Sequence, residues 1–137
     1  MKRDIFKKKL PAFNLTELLV VLVIIGILVL LALPNLMPLI SKAKSTEAKL
    51  QLSHVYTLEK TFFYQSSRYS DNLEEIGFEQ EKLVTEEGQA NYKIEIVEAS
   101  AAGFKAIATA VADFDGDGTF NVWEIDQNKK LIETVKD

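Results

Sequence analysis

From Leu18 to Leu33 no side chain is polar, and apolar character resumes across Leu36–Ile40. A helix crosses a bilayer's hydrocarbon core with about 20 mainly apolar residues. The pattern therefore predicts a membrane-spanning helix over 13–40. One residue breaks the expectation for a plain anchor. Glu17 sits near the start of the run, and no other ionisable side chain lies between Leu10 and Ser41. A charged acid at the membrane centre costs about 2.5–3.5 kcal/mol on insertion scales, so by default it has a partner. The most available cation is an ammonium that cleavage before Phe13 would create.

Beyond the apolar run, Ala48, Leu52, Val55, Glu59 and Phe62 recur at three- and four-residue steps. That spacing predicts an amphipathic helix over 41–64. Gln65–Asn72 is polar and turn-rich, Leu73–Phe78 reads as a short helical turn closed by Gly77, and Glu79–Gln89 as acidic and exposed. Alternation then predicts four strands. Tyr92, Ile94 and Ile96 share a face of the first. Phe104, Ala106, Ala108, Ala110 and Ala112 share a flat face of the second. Phe120–Ile125 makes the third, and Leu131–Val135 the fourth after a turn at Asn128-Lys129-Lys130. A long helix packed on an antiparallel sheet of about four strands is an α+β design. The head is 65–137.

Charge divides the 137 residues unevenly. Residues 1–12 carry five basic side chains against Asp4, which gives +4; the remainder carries 11 basic and 19 acidic, which gives −8. A basic end before an apolar span is placed in the cytoplasm. The acidic remainder argues against nucleic acid, which favours clustered basic residues. There is no cysteine, so the exported domain must hold by packing, partners or a metal. The single histidine, His54, lies in a helical pattern and reads as packing. No nucleophile–base–acid set, Gly-rich phosphate loop or paired-histidine motif is present, so an enzyme is not expected.

Two plain readings of the N-terminus compete. A secretory signal predicts cleavage after the apolar run, where Pro34, Asn35, Met37 and Pro38 make a poor site. An ordinary anchor needs no cleavage. Both leave Glu17 unexplained. Ala12-Phe13-Asn14-Leu15-Thr16-Glu17-Leu18 followed by the apolar run resembles the type III signal of type IV pilins and type II secretion pseudopilins. The resemblance implies that 1–12 is a leader removed by a prepilin peptidase between Ala12 and Phe13, with methylation of the new Phe13 amine. It implies the pilin fold and makes Glu17, Gly26 and Pro34 assembly positions. The family usually has glycine before the cut where this chain has Ala12, and Asn14 and Thr16 are further variants. Pairing Glu17 with a neighbour's Phe13 ammonium would offset part of the burial cost of both charges and penalise misregister. Pro34 removes a backbone donor and leaves the Leu30 carbonyl unpaired, Pro38 repeats this one turn later, and Gly26 weakens the helix before them. The resemblance implies unwinding of 26–34 in an assembled fibre; the residues alone support a simple kink equally.

Asp113-Phe114-Asp115-Gly116-Asp117-Gly118 with Thr119, Asn121 and Glu124 fits a twelve-residue calcium loop. Strand rather than helix is expected around it, and Asp-Gly-Asp-Gly is turn chemistry in its own right. Calcium on Asp113, Asp115, Asp117, Thr119, Asn121 and Glu124 is one expectation, and a metal-free turn is the other. The resemblance implies a structural subunit anchored in the bacterial inner membrane, cytoplasmic at its N-terminus, that enters a periplasmic or cell-surface filament. Its partners would be further copies of itself, the peptidase, an assembly platform and a motor ATPase. The alternative within the family is a major pseudopilin of a type II secretion system that drives export. A monomeric, membrane-anchored binding module is the alternative outside it, with an uncleaved leader and no role for Glu17.

Overall fold

The computed structural model describes residues 12–137, so most of the basic leader lies outside the described residues. One helix, α1, runs Leu15–Ser66. A sheet follows, formed by β1 (Tyr92–Ala99), β2 (Phe104–Ala110), β3 (Val122–Asp126) and β4 (Leu131–Val135). The chain divides into two compact units, one ending at Leu36 and the other spanning Met37–Asp137.

In the first unit, α1 begins where Asn14 caps it. The Asn14 carbonyl accepts the Leu18 amide at 3.1 Å, and the Glu17 carboxylate reaches back to the Asn14 amide at 3.0 Å. This is the returning half of a capping box, satisfying one of the donors a helix start leaves over. The helix then continues through Gly26, Pro34 and Pro38 without a break. In this isolated chain the 26–34 segment is helical. At the Pro34 turn, the Asn35 side chain donates through Nδ2 to the Leu31 carbonyl at 3.2 Å.

In the second unit, the remainder of α1 packs on the sheet. Its buried stripe is Ser41, Ser45, Ala48, Leu52, Val55 and Glu59. The helical spacing seen in the sequence is thus the packing face. Opposite it stand Tyr92, Ile94, Phe104, Ala106, Ala108, Ala110 and Ile125, all buried in the same core. β2 alternates strictly between buried and half-buried positions, which makes its alanines the flat floor. The strands form an antiparallel meander in the order β1-β2-β3-β4, with Ile94 opposite Ala108 and Ala108 opposite Trp123. A bulge after Ile96 shifts the register of β1.

Several boundaries differ from expectation. The helix runs on to Ser66 and stops as Ser67 turns left-handed, its amide donating to the Phe63 carbonyl at 2.8 Å. β2 ends at Ala110 rather than Ala112, although the Val111 amide still bonds the Asn91 carbonyl at 2.9 Å in register with the Tyr92–Ala110 pair. β3 starts at Val122 rather than Phe120, which stays exposed. The turn at Leu73–Phe78 is present. The Phe78 amide bonds back to the Leu73 carbonyl at 2.9 Å and the Gly77 amide to that of Glu74 at 3.0 Å. This is a Schellman closure, and Gly77 supplies the required positive φ of 78°. The acidic 79–89 stretch is more ordered than its composition suggests: it contains a 3-10 turn at Val84–Glu86 and a bridge from Leu83 to Ala90.

Three polar side chains tie this unit together. Glu47 on α1 accepts the Asn91 amide and side chain, both at 2.8 Å, and the Tyr92 amide at 3.3 Å, fixing the start of β1. Tyr92 hydroxyl donates to Asn121 Oδ1 at 2.7 Å within the core. Glu59, fully buried, accepts the Ser70 amide at 3.0 Å and so pins the loop after the helix. Tyr69 stacks on Phe63 at 4.7 Å and leans on Phe104 at 5.1 Å beside this tether.

Candidate assembly site

The candidate site is the first unit itself. Every leucine, valine and isoleucine from Leu18 to Leu36 is between 44% and 71% exposed. Soluble monomers rarely leave continuous apolar surface of this kind uncovered. Among the described residues it is the one helix long and apolar enough to cross a membrane. Lipid tails or sister helices are the two environments that would cover it.

At its head, Phe13 is 80% exposed and borders a shallow depression with Thr16, Glu17, Val20 and Val21. Glu17 is exposed, and its carboxylate is already directed at the helix start through the Asn14 amide. The structure therefore holds the acid against the first turn of α1, close to Phe13. The capping bond has a signal in the sequence, Asn-x-x-Glu at 14–17. Gly26 has open space around it and Pro34 sits within continuous helix. Both lie on the exposed surface of the unit.

The acidic loop gathers differently from the motif. Asp113, Asp115, Asp117 and Asp137 each bring one oxygen within 4.8 Å of the others. Asp137 was not expected there. Asn121 is not available to the loop: it is buried, receives the Tyr92 hydroxyl, and donates to Glu133 at 2.7 Å and to the Val135 carbonyl at 3.0 Å. Glu124 lies on β3 with Lys105 at 3.7 Å, away from the aspartates. Thr119 contributes its amide to Asp117 at 2.7 Å. The physical reason is the strand that follows, whose alternation carries Asn121 and Glu124 off the loop.

Much of the loop's oxygen is spent on its own backbone. Asp113 accepts the Gly116 and Gly118 amides, Asp115 that of Asp117, and Asp137 that of Phe114. The Gly118 amide holds the Asp113 carboxyl below the usual range, aided by that of Gly116. Asp115 is pushed up: the Asp117 amide lowers it, but desolvation and the charges of Asp117, Asp137 and Asp113 outweigh that bond. Asp137 Oδ1 is buried without a partner among the described residues. A hard-oxygen set of this kind suits calcium, and Asp113, Asp115, Asp117 and Asp137 are the residues that would hold it. The self-bonded turn equally accounts for the loop's shape.

A long helix, apolar and uncovered in its first part and packed on a four-stranded antiparallel sheet in its second, is consistent with the pilin fold. The long apolar N-terminal helix fits the type IV pilin and pseudopilin family. The chain is 42% identical over 82 residues to the type IV major pilin protein PilA of Myxococcus xanthus (strain DK1622). That alignment covers 60% of this chain and 37% of the relative, so the chain spans little more than a third of the protein it matches. No family model matches the chain.

Proposed function

We propose that this protein is the structural subunit of a type IV pilus-like filament. The observation that carries the reading is the uncovered apolar helix headed by a lone carboxylate, in a chain similar to a type IV major pilin. The proposed sequence of events follows from the physics of that helix. The subunit first sits in the inner membrane with its basic leader on the cytoplasmic side. A prepilin peptidase cuts between Ala12 and Phe13, and methylation leaves the new amine cationic. Glu17 of an arriving subunit then pairs with the Phe13 ammonium of a neighbour, while lipid is exchanged for sister helices along 13–40. An assembly platform and a motor ATPase supply the work of extraction. Gly26 and Pro34 give the packed helix a place to bend, since neighbouring helices can satisfy freed backbone groups. The head on residues 65–137 forms the outer surface.

Electron microscopy of cells with and without the gene tests this reading. Long surface fibres are expected in the parent and absent after deletion. Loss of protein export with no surface fibre in the parent would replace it with the pseudopilin reading.

A further inference from the structure

The meander leaves β1 and β4 at its two edges. Beyond β1 lies an open groove between the strand and the 71–80 segment. Four carboxylates line it: Asp71, Glu74, Glu79 and Glu95. Lys93 pairs with Glu95 at 3.0 Å. Asp71, Glu74 and Glu79 are exposed and have no ion-pair partner among the described residues. The Gln80 side chain covers part of the strand edge, donating to the Tyr92 carbonyl at 3.1 Å and accepting the Ile94 amide at 2.9 Å. Alternation turns the backbone of Ile96 to the same side, where no such cover exists among the described residues.

Toward the other edge, the β3–β4 turn presents exposed Lys129 and Lys130. The turn is prearranged. Asp126 Oδ1 accepts the amides of Asn128 at 2.9 Å and Lys130 at 3.0 Å, and the Lys129 amide donates to the Asp126 carbonyl at 3.0 Å. Its one carboxylate is thus turned inward. Lys129 lies 5.6 Å from the Tyr56 ring, and neither lysine is in an ion pair among the described residues.

We infer that the acidic groove beside β1 of one copy receives the Lys129–Lys130 turn of the next copy. This rests on the filament reading above. The unit from Met37 to Asp137 carries 11 basic and 18 acidic side chains, a net of −7. Identical units therefore repel on average, and a stable contact must match the uncommitted cations to the uncommitted carboxylates. Groove against groove and turn against turn place like charges together. Groove against turn attracts, and it joins opposite edges of the sheet; the other exposed lysines outside ion pairs among the described residues, Lys42, Lys82 and Lys136, stand singly, whereas Lys129 and Lys130 are adjacent. Such a contact is heterologous, and a heterologous contact that does not close generates a helical filament. It fixes the neighbour of each head, whereas the apolar helix governs insertion and stacking.

Charge swaps in the full chain test this. Glu74→Lys with Glu79→Lys, and Lys129→Glu with Lys130→Glu, are each expected to cut the yield of filaments sheared from cells severalfold. Combining all four is expected to restore it. Because the chain has no cysteine, Glu79→Cys together with Lys130→Cys gives a second readout that does not depend on yield. A bifunctional thiol cross-linker should give a ladder of multimers from filaments of the double variant and no ladder from either single variant. Filaments that form normally in both charge-reversed variants, or a double-cysteine filament with no ladder, would overturn the groove–turn contact and leave the polymer reading standing. A parent chain that forms no filament at all would overturn both.

Discussion

Replacing Glu17 with alanine is expected to leave the subunit cleaved and inserted in the membrane while removing most filament assembly. Two roles meet on this carboxylate. Within one chain it accepts the Asn14 amide at 3.0 Å and helps close the start of α1; capping contributions of this sort are about 0.5–2 kcal/mol. Between chains it would face a Phe13 ammonium. Two unit charges about 4 Å apart at an effective dielectric of about 20 attract by roughly 4 kcal/mol. Part of that is returned as desolvation, and an acid left in the bundle without its partner is penalised more heavily than the pair is favoured. Glu17→Gln separates the roles, because the amide oxygen keeps the cap and the charge is gone. If capping were the whole function, the glutamine variant would assemble like the parent. The charge-pair account predicts that it fails like alanine. The measurement is the sheared-filament fraction against total membrane-bound subunit, with the mature N-terminus checked in each variant.

The second large effect is expected at Glu59, and its sign is opposite for two substitutions. Burial holds this carboxyl above the usual 4.5; the Ser70 amide works against that, Glu75 and Asp71 add to it, and Arg68 opposes it. One oxygen takes the Ser70 amide and the other is buried with no partner among the described residues. A raised folded value means that the folded state binds the proton more tightly than the unfolded one. The contribution therefore favours folding below about 4.5 and is lost as pH rises through the folded value. At neutral pH the buried charge is a cost. Glu59→Gln keeps an acceptor for Ser70, removes the charge, and should raise the unfolding midpoint at pH 7 while flattening its dependence on pH. Glu59→Ala leaves the Ser70 amide unpaired, a loss of about 1–3 kcal/mol, adds a void beside the Phe63–Tyr69–Phe104 stack, and frees the 67–78 loop. Denaturant unfolding of the detergent-solubilised chain across pH 4–8 checks both. A glutamine variant less stable than the parent at pH 7 would show that the charge has a partner.

The sequence exposed the large features because each rests on a strong periodicity. The apolar run, the Ala48–Leu52–Val55–Glu59 stripe and the alternation of β1 and β2 each bury one face, and the structure uses those faces. The stripe even placed an acid at Glu59, where an apolar residue was due. What was hidden depends on long-range partners. Glu47 looks like one more surface charge until Asn91, far along the chain, is brought to it. Gln80 looks like loop polarity until it covers the edge of β1. Asp137 joins the aspartate loop only because β4 returns the C-terminus there. Asn121 and Glu124 stand apart from the aspartates because a linear pattern counts positions, whereas a strand sends alternate side chains to opposite faces.

The intact mass of the subunit taken from sheared filaments tests the central claim most directly. The account predicts a chain that begins at Phe13, lighter by residues 1–12 and heavier by about 14 Da for one methyl group on the amine. A filament-derived chain that still begins at Met1 would contradict it, since Glu17 would then have no neighbouring chain end to meet.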